Sequence, residues 1–288
     1  MSAFSLLGFK TDRPQPERHV FPSGRHKIVY ETVGDGPALI LIHGLSGSGR
    51  WWKHNLSTLS AHFTCYIIEL VGYGSNRAFR PLPLRSAAEA LALFIGTQTP
   101  TGRAHVIGHS MGGQIASVLA ATYPDRVERL VLAAASGLLK SDIVRMALRL
   151  PIAGHYSPLD FLPTLVGDAL RAGPVNLLLS TLDILGSDTT EMLRTVAAPT
   201  LLVFGDRDNL VPVTVGEAMD RLIPDSRLEV IEGAGHVLMW DHPRTFNRLV
   251  LDFLLPPPPG PPDEPRDEQR PGDRRYNGLP TEMHGGGE

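Results

Sequence analysis

The chain of 288 residues contains a single cysteine, Cys65, and shows no sign of a secreted or membrane-spanning protein. One thiol cannot form a disulfide within the chain or supply a cysteine cluster for a metal ion, so we predict that Cys65 is a buried apolar side chain. The first residues, MSAFSLLGFK, lack the basic start and long apolar stretch of a secretory signal. No apolar run is long enough to cross a bilayer. We therefore expect a cytoplasmic protein that uses neither a metal ion nor a cofactor.

The chain also lacks a surplus of basic charge. Its net charge is −3, and residues 256–288 account for all of it with seven acidic and four basic side chains. We therefore expect a small-molecule substrate rather than nucleic acid as the partner. Nothing in the pattern indicates an oligomeric state. The tail itself is rich in proline, glycine and charge, and this composition predicts disorder.

Short apolar runs alternate with helical patterns along most of the chain. The predicted strands are 26–33, 38–42, 65–70, 104–108, 130–134, 200–204 and 228–231. The predicted helices are 51–62, 84–96, 111–122, 213–222 and 243–254. This alternation is typical of an α/β protein with a doubly wound, mostly parallel sheet.

Breaks in the alternation divide the chain. Residues 1–24 are predicted to be an N-terminal extension. The α/β core is predicted to comprise residues 25–137 and 195–255. Between these, residues 138–194 show helical spacing and several prolines, and we predict that they form a helical cap over one end of the sheet. The disordered tail is predicted to begin at residue 256.

A serine lies at a predicted strand–turn–helix junction. Residues 108–113 read Gly-His-Ser-Met-Gly-Gly and stand between an apolar run and a helical pattern. Such a turn strains the serine backbone and raises its hydroxyl above the sheet edge, while the flanking glycines avoid collisions with neighbouring backbone. The free N–H groups of the helix that follows favour developing negative charge. We predict that Ser110 is a catalytic nucleophile.

A nucleophilic serine needs a base, and His236 has the most suitable surroundings. It follows Gly-Ala-Gly after a predicted strand, and loops at the carboxyl ends of parallel strands are where catalytic groups gather. His43 and His109 lie in tight turns, and His242 comes one helical turn too late. We predict that His236 is the base.

An acid must orient the imidazole of that base. Asp206 and Asp208 both follow the apolar run 200–204, and Pro212 closes their loop. Position in the loop favours Asp208 slightly and leaves Asp206 as the alternative.

Acyl transfer also needs donors for the negative charge that develops on the carbonyl oxygen. The residue after the nucleophile, Met111, supplies one backbone N–H. The loop that follows the strand 38–42 is predicted to supply the other, with Gly44 turning the backbone inward and Leu45 offering its N–H. We expect Gly44, Trp52, His109 and Trp240 to lie against the substrate.

Taken together, these motifs resemble the α/β-hydrolase superfamily, in its capped serine-hydrolase branch. The similarity spans residues 25–255 and rests on His43-Gly44, the run 108–113, the spacing from Gly205 to Pro212, and Gly233-Ala234-Gly235-His236. The resemblance implies Asp208 as the acid. It implies hydrolysis of a carboxylic ester with an apolar acyl or alcohol part, through an acyl-enzyme.

The sequence departs from the family in one loop and leaves other functions open. Many relatives carry Asp-x-Pro-Gly-x-Gly-x-Ser after the third strand, whereas residues 69–75 read Glu-Leu-Val-Gly-Tyr-Gly-Ser. Carbon–carbon bond hydrolysis of ring-fission products is one alternative, although many such relatives have asparagine where His109 stands. Acyl transfer or perhydrolysis on the same triad is another. A small-molecule binding protein built on the same fold is a third.

Overall fold

The computed structural model describes residues 15–138 and 159–255. Their strands form one eight-stranded sheet in the order β1-β2-β4-β3-β5-β6-β7-β8. The strands are β1 (Glu17–Ser23), β2 (His26–Val33), β3 (Ala38–Ile42), β4 (Thr64–Glu69), β5 (Ala104–His109), β6 (Val127–Ala133), β7 (Thr200–Gly205) and β8 (Ser226–Ile231). β2 pairs antiparallel with β1 and β4, and all other neighbours are parallel. The predicted doubly wound, mostly parallel sheet is confirmed.

Helices cover both faces of this sheet. They are α1 (Leu56–Leu59), α2 (Leu84–Gln98), α3 (Met111–Thr122), α4 (Leu162–Gly186), α5 (Thr190–Leu193), α6 (Val213–Leu222), α7 (Leu238–Asp241) and α8 (Pro243–Leu254). Short 3-10 turns cover Gly49–Trp52, Gly74–Asn76 and Pro124–Arg126. No described helix has the length and apolar character that a membrane crossing requires.

The central strands are buried on both sides because their side chains alternate between two apolar cores. Ile40 and Ile42 of β3 face the core that is built with α2, α3 and α6. Leu39 and Leu41 of the same strand face the core built with α1, α7 and α8. Cys65 of β4 is also fully buried, and burial raises the pKa of its thiol to about 12. A rigid, doubly covered sheet therefore supports the loops at its carboxyl edge.

The structure contains an edge strand, β1, that lies within the predicted N-terminal extension. The sequence of β1 carries charged residues and Pro22, which weaken a strand pattern. Phe21 is the one buried residue of the strand, with 9% of its surface exposed. Pairing with β2 along the whole length of β1 forms the strand, and that pairing is a long-range effect that local pattern does not indicate.

The predicted helix over residues 51–62 is wrong. The chain instead makes the 3-10 turn Gly49–Trp52 and the single turn of α1. The cause is tertiary: the buried Asn55 side chain donates to the Met239 carbonyl at 3.0 Å and to the Asn247 side chain at 2.8 Å. These bonds to α7 and α8 hold the backbone between the two short elements.

The predicted insertion 138–194 contributes α4 and α5 to the described residues. α4 changes direction at Gly173, whose φ of 76° lies in the left-handed region, immediately before Pro174. Residues 139–158 of the predicted cap lie outside the described residues. So do the predicted tail, 256–288, and residues 1–14.

Candidate functional site

Ser110 occupies a strained turn between β5 and α3. Its φ of 52° and ψ of −116° lie outside the ordinary regions for a residue with a side chain. The surrounding backbone holds this conformation, since the Ser110 N–H donates to the Ala133 carbonyl at 3.0 Å. A Cβ on Gly112 would come within 2.5 Å of the carbonyl oxygens of Ile42 and His43, so this position has room for glycine alone. The turn therefore presents the Ser110 hydroxyl at the carboxyl edge of the sheet.

His236 and Asp208 complete a hydrogen-bonded line with Ser110. His236 Nε2 lies 3.0 Å from Ser110 Oγ, and His236 Nδ1 lies 2.7 Å from Asp208 Oδ2. The Asp208 side chain is fully buried and that of His236 is 12% exposed. In this arrangement the Nδ1–H donates to the carboxylate and leaves Nε2 free to accept the serine proton. The structure thus brings together the three residues that the sequence singled out.

The two candidate acids have separate partners. Besides His236, Asp208 accepts the backbone N–H groups of Leu210 at 2.8 Å and Val211 at 2.9 Å through Oδ1. Asp206 is exposed and accepts the N–H of Gly233 at 2.6 Å, so it holds the turn that follows β8. Of the two, only Asp208 contacts the imidazole.

The loop after β3 approaches Ser110 closely. A Cβ on Gly44 would lie 3.1 Å from the Ser110 Cβ, so the backbone of this loop borders the serine directly. The His43 side chain holds the loop, donating from Nδ1 to the Gly44 carbonyl at 2.8 Å and accepting the Leu70 N–H at 3.2 Å. Within the described residues, the backbone N–H groups of Leu45 and Met111 donate to no acceptor. Neither N–H is therefore engaged by another group in the described part of the chain.

His109 is fully buried beneath the site. Its Nε2 donates to the backbone carbonyl of His236 at 2.9 Å, and the two rings stand 4.9 Å apart. Burial, reinforced by the neighbouring His236, holds the pKa of His109 well below its usual range, so this imidazole is neutral. His109 thus contacts the loop that carries His236.

The three tryptophans occupy different places. Trp52 is fully buried in the core beside Phe246. Trp51 packs against His109, with ring centroids 5.6 Å apart. Trp240 packs on Phe161 and donates from Nε1 to Asp160 at 3.3 Å. Among the three, Trp51 is therefore the tryptophan that contacts His109, the residue before Ser110.

A small apolar cavity lies beside Met111. Tyr73, Leu91, Met111 and Ile115 are among its lining residues, and its free space is about 20 Å³. That space holds about one water molecule, so a longer apolar group would enter only if these side chains moved.

Two carboxylates near the site were not among the residues predicted from the sequence. Glu69 accepts the backbone N–H groups of Gly49 and Ser75, each at 2.8 Å, and so joins the loops after β3 and β4. Asp168 of α4 is buried against the loop after β3. The available signal for Asp168 was an acidic residue within a mostly apolar helix. Among the described residues, no three acidic, histidine or cysteine side chains are grouped to hold a metal ion.

Asp241 gives a testable link between the site and stability. Its Oδ2 accepts the Gly235 N–H at 3.0 Å, whereas its buried Oδ1 has no partner among the described residues. Burial raises the pKa of Asp241 from 3.8 to about 6. Between about pH 4 and pH 6, ionisation of this carboxyl therefore costs more free energy in the folded chain than in the unfolded chain. The contribution of this carboxyl to stability is therefore lost as pH rises from about 4 to 6.

The Asp241→Asn variant removes that ionisation cost. We expect its Tm to exceed the wild-type value by about 2–4 °C at pH 8, with a smaller gain at pH 4.5. Thermal unfolding followed by circular dichroism at both pH values checks this. An equal change at both values would show that the carboxyl charge is not the cause.

Comparison with known sequences gives one extended match to a family model. Residues 39–249 match the model of the alpha/beta hydrolase family. A pimeloyl-[acyl-carrier protein] methyl ester esterase of Proteus mirabilis is 29% identical over 255 residues, covering 78% of this chain and 96% of the relative.

Solved structures share the fold. A thermophilic esterase from Thermogutta terrifontis superposes with a TM-score of 0.70 at 24% identity, covering 83% of this chain and 98% of that one. A meta-cleavage product hydrolase from Pseudomonas fluorescens superposes with a TM-score of 0.66 at 24% identity, covering 82% and 96%. At this identity the two likenesses concern the fold and not the substrate.

Proposed function

Since the chain belongs to the alpha/beta hydrolase family, we propose that it hydrolyses a carboxylic ester through an acyl-enzyme formed on Ser110. The observation that carries this proposal is the line of hydrogen bonds from Ser110 through His236 to Asp208. The family membership itself confirms the resemblance found in the sequence and makes the chain a hydrolase.

In the first half of the reaction, Ser110 Oγ attacks the ester carbonyl while its proton passes to His236 Nε2. The carbonyl electron pair moves onto the oxygen and returns as the bond to the alcohol breaks. His236 gives its proton to the departing alcohol, which leaves an ester between the acyl group and Ser110. Asp208 stabilises the imidazolium throughout.

In the second half, water takes the place of the alcohol. His236 removes a proton from the water as it attacks the acyl-enzyme, and then returns a proton to Ser110 Oγ. A carboxylic acid leaves and the site is restored.

Leu45 and Met111 are proposed to donate their backbone N–H groups to the negatively charged carbonyl oxygen. Gly44, the neighbour of Leu45, borders Ser110, and Met111 follows Ser110 directly in the chain. Neither N–H has another acceptor in the described part of the chain, and this supports the role. Met111 is also the first residue of α3, where the helix dipole favours negative charge.

We also propose that residues 138–194 cover the substrate. α4 supports this, because its Ser180 accepts the Tyr73 hydroxyl at 2.6 Å and its Asn176 donates to the Gly72 carbonyl at 3.0 Å. Both partners lie in the loop after β4, at the carboxyl edge of the sheet. The apolar lining beside Met111 favours a substrate with an apolar acyl or alcohol part.

Among the residues expected to contact substrate, Gly44 borders Ser110 and remains a candidate for contact. We assign His109 to positioning the His236 loop, because its Nε2 is already bonded there. The burial of Trp52 and Trp240 assigns both to packing.

The test is a panel of p-nitrophenyl esters from acetate to decanoate, together with methyl esters of the same acids, run alongside labelling by a fluorophosphonate. We expect ester turnover and labelling of Ser110. Labelling without turnover of any ester would contradict ester hydrolysis and favour carbon–carbon bond cleavage, which a ring-fission product would then reveal. A chain that neither reacts nor turns over would instead fit a binding protein.

A further inference from the structure

A buried carboxylate joins α4 to the loop after β3. The Asp168 side chain is 1% exposed. Its Oδ2 accepts the Ser48 hydroxyl at 2.7 Å and the Trp51 indole N–H at 3.1 Å. Its Oδ1 accepts the guanidinium groups of Arg50 and, at 3.2 Å, of Arg171. Three of these four donors belong to the loop, so most of the hydrogen bonds of the carboxylate connect α4 to that loop.

The charges explain why this carboxylate is tolerated out of water. A buried carboxylate is costly unless paired and hydrogen-bonded, and Asp168 has two cationic and two neutral donors. Arg50 and Arg171 are each about half exposed and keep part of their charge in solvent. Removal of the carboxylate would leave the Ser48 hydroxyl and the Trp51 indole without this acceptor in a buried place.

The loop that Asp168 holds is the one that carries Leu45. From the core side, His43 and Glu69 anchor this loop at Gly44 and Gly49. Asp168 anchors its remaining part, at Ser48 and Trp51, from α4. The segment with the Leu45 N–H therefore lies between an anchor on the sheet and an anchor on the inserted helix.

Trp51 extends the connection to the base. The indole that donates to Asp168 also packs against the ring of His109. His109 in turn donates to the backbone carbonyl of His236. The Asp168 carboxylate thus contacts the loop that carries Leu45, the proposed oxyanion donor. Through Trp51 it is also connected to His109, which contacts the loop of the proposed base.

We propose that Asp168 is a positioning residue for the hydrolysis: it holds Ser48 and Trp51 and thereby fixes the loop that presents the Leu45 N–H. The inference rests on the proposed function for its catalytic consequence and on the contacts above for the position of the loop. According to this proposal, the geometry of the site depends on the position of α4.

The test compares Asp168→Asn with the wild type and with Glu191→Gln. Glu191 is a matched control, because it lies in the same predicted insertion, on α5, and pairs with an arginine three residues further along, Arg194 at 3.7 Å, while its side chain is 86% exposed. For Asp168→Asn we expect kcat to fall about 10- to 100-fold, which is no more than the loss that follows removal of one oxyanion donor. We expect KM to change less than about threefold. Affinity for a trifluoromethyl ketone, whose adduct with serine carries an oxyanion, should fall by the same factor as kcat/KM. Glu191→Gln should change each value less than about twofold.

Active-site titration separates positioning from a merely structural role. A structural role would lower Tm or the fraction of active sites while turnover for each active site stayed normal, and that result would overturn the proposal. An unchanged kcat in Asp168→Asn would overturn it as well. Should Asp168→Asn fail to fold, Trp51→Phe keeps the ring and removes one donor to the carboxylate. We expect kcat in that variant to fall about 3- to 10-fold, and unchanged kinetics would contradict the proposal.

Hydrogen exchange tests the position of the loop without reference to activity. In Asp168→Asn, or in Trp51→Phe in its place, we expect amide exchange in residues 43–52 to rise about tenfold or more, with no comparable rise in β5. Unchanged exchange in residues 43–52 would overturn the proposal even if the enzyme were active. Lack of ester turnover by the wild type would contradict the proposed function instead, and faster exchange in the variant would still support the positioning role.

Discussion

Replacing Ser110 with alanine is expected to lower kcat for any ester substrate by about 10⁴- to 10⁶-fold while leaving the protein folded. The physical reason is that in the proposed mechanism the hydroxyl is the group that bonds to the carbonyl carbon, and alanine offers no atom to replace it. The change also removes a polar atom from a strained turn, so the folded state should lose little stability. Initial rates on the p-nitrophenyl ester that the wild type hydrolyses best, together with Tm, check both parts.

A matched serine distinguishes this effect from a general response to the substitution. Ser57 is exposed on α1 and has no part in the site. Ser57→Ala should keep wild-type rates and react with a fluorophosphonate, whereas Ser110→Ala should not react. Activity that survived in Ser110→Ala would remove the basis of the proposed mechanism.

Changing Asp208 to asparagine is expected to lower kcat by about 10³- to 10⁴-fold. The carboxylate accepts the His236 Nδ1–H, and two backbone N–H groups hold it in place. An amide nitrogen turned toward the ring would favour the wrong imidazole tautomer, and the amide carries no charge to stabilise the imidazolium. Steady-state kinetics across pH 6–9 measure the loss.

Asp206 provides the control, since it lies two residues away and bonds to Gly233 rather than to His236. Asp206→Asn should reduce kcat by less than about threefold, with the turn after β8 as the affected structure. A larger loss in Asp206→Asn than in Asp208→Asn would reverse the assignment of the acid.

The strongest sequence predictions concern segments whose structure is determined by their own residues. β3, with the sequence Ala-Leu-Ile-Leu-Ile, is apolar at every position because both of its faces are buried, and its predicted bounds agree with the structure. The turn at Ser110 was also predictable. Its glycines, its strand and its helix all lie within the continuous stretch of residues 104–122.

The errors arise where distant segments compete with local preference. Residues 51–62 have a helical pattern, yet bonds from Asn55 to α7 and α8 interrupt the helix. β1 forms because β2 offers it a partner along its full length. Trp52 was expected near the substrate and lies in the core, while its neighbour Trp51 contacts His109. Side chains of adjacent residues point in different directions, and the sequence alone does not indicate which of the two lies closer to the site.

The sequence by itself determined the class of the fold, the position of Ser110 at a strand–helix turn as the proposed nucleophile, and the order of the residues proposed to assist it. These follow from patterns that are complete within short stretches of chain. The choice of Asp208 over Asp206 from contacts depended on the tertiary structure. So did the contact of the Asp168 carboxylate with the loop that carries Leu45. Both are matters of distance between residues that lie 28 and 120 positions apart, and only the packed sheet and helices bring such atoms within hydrogen-bond reach.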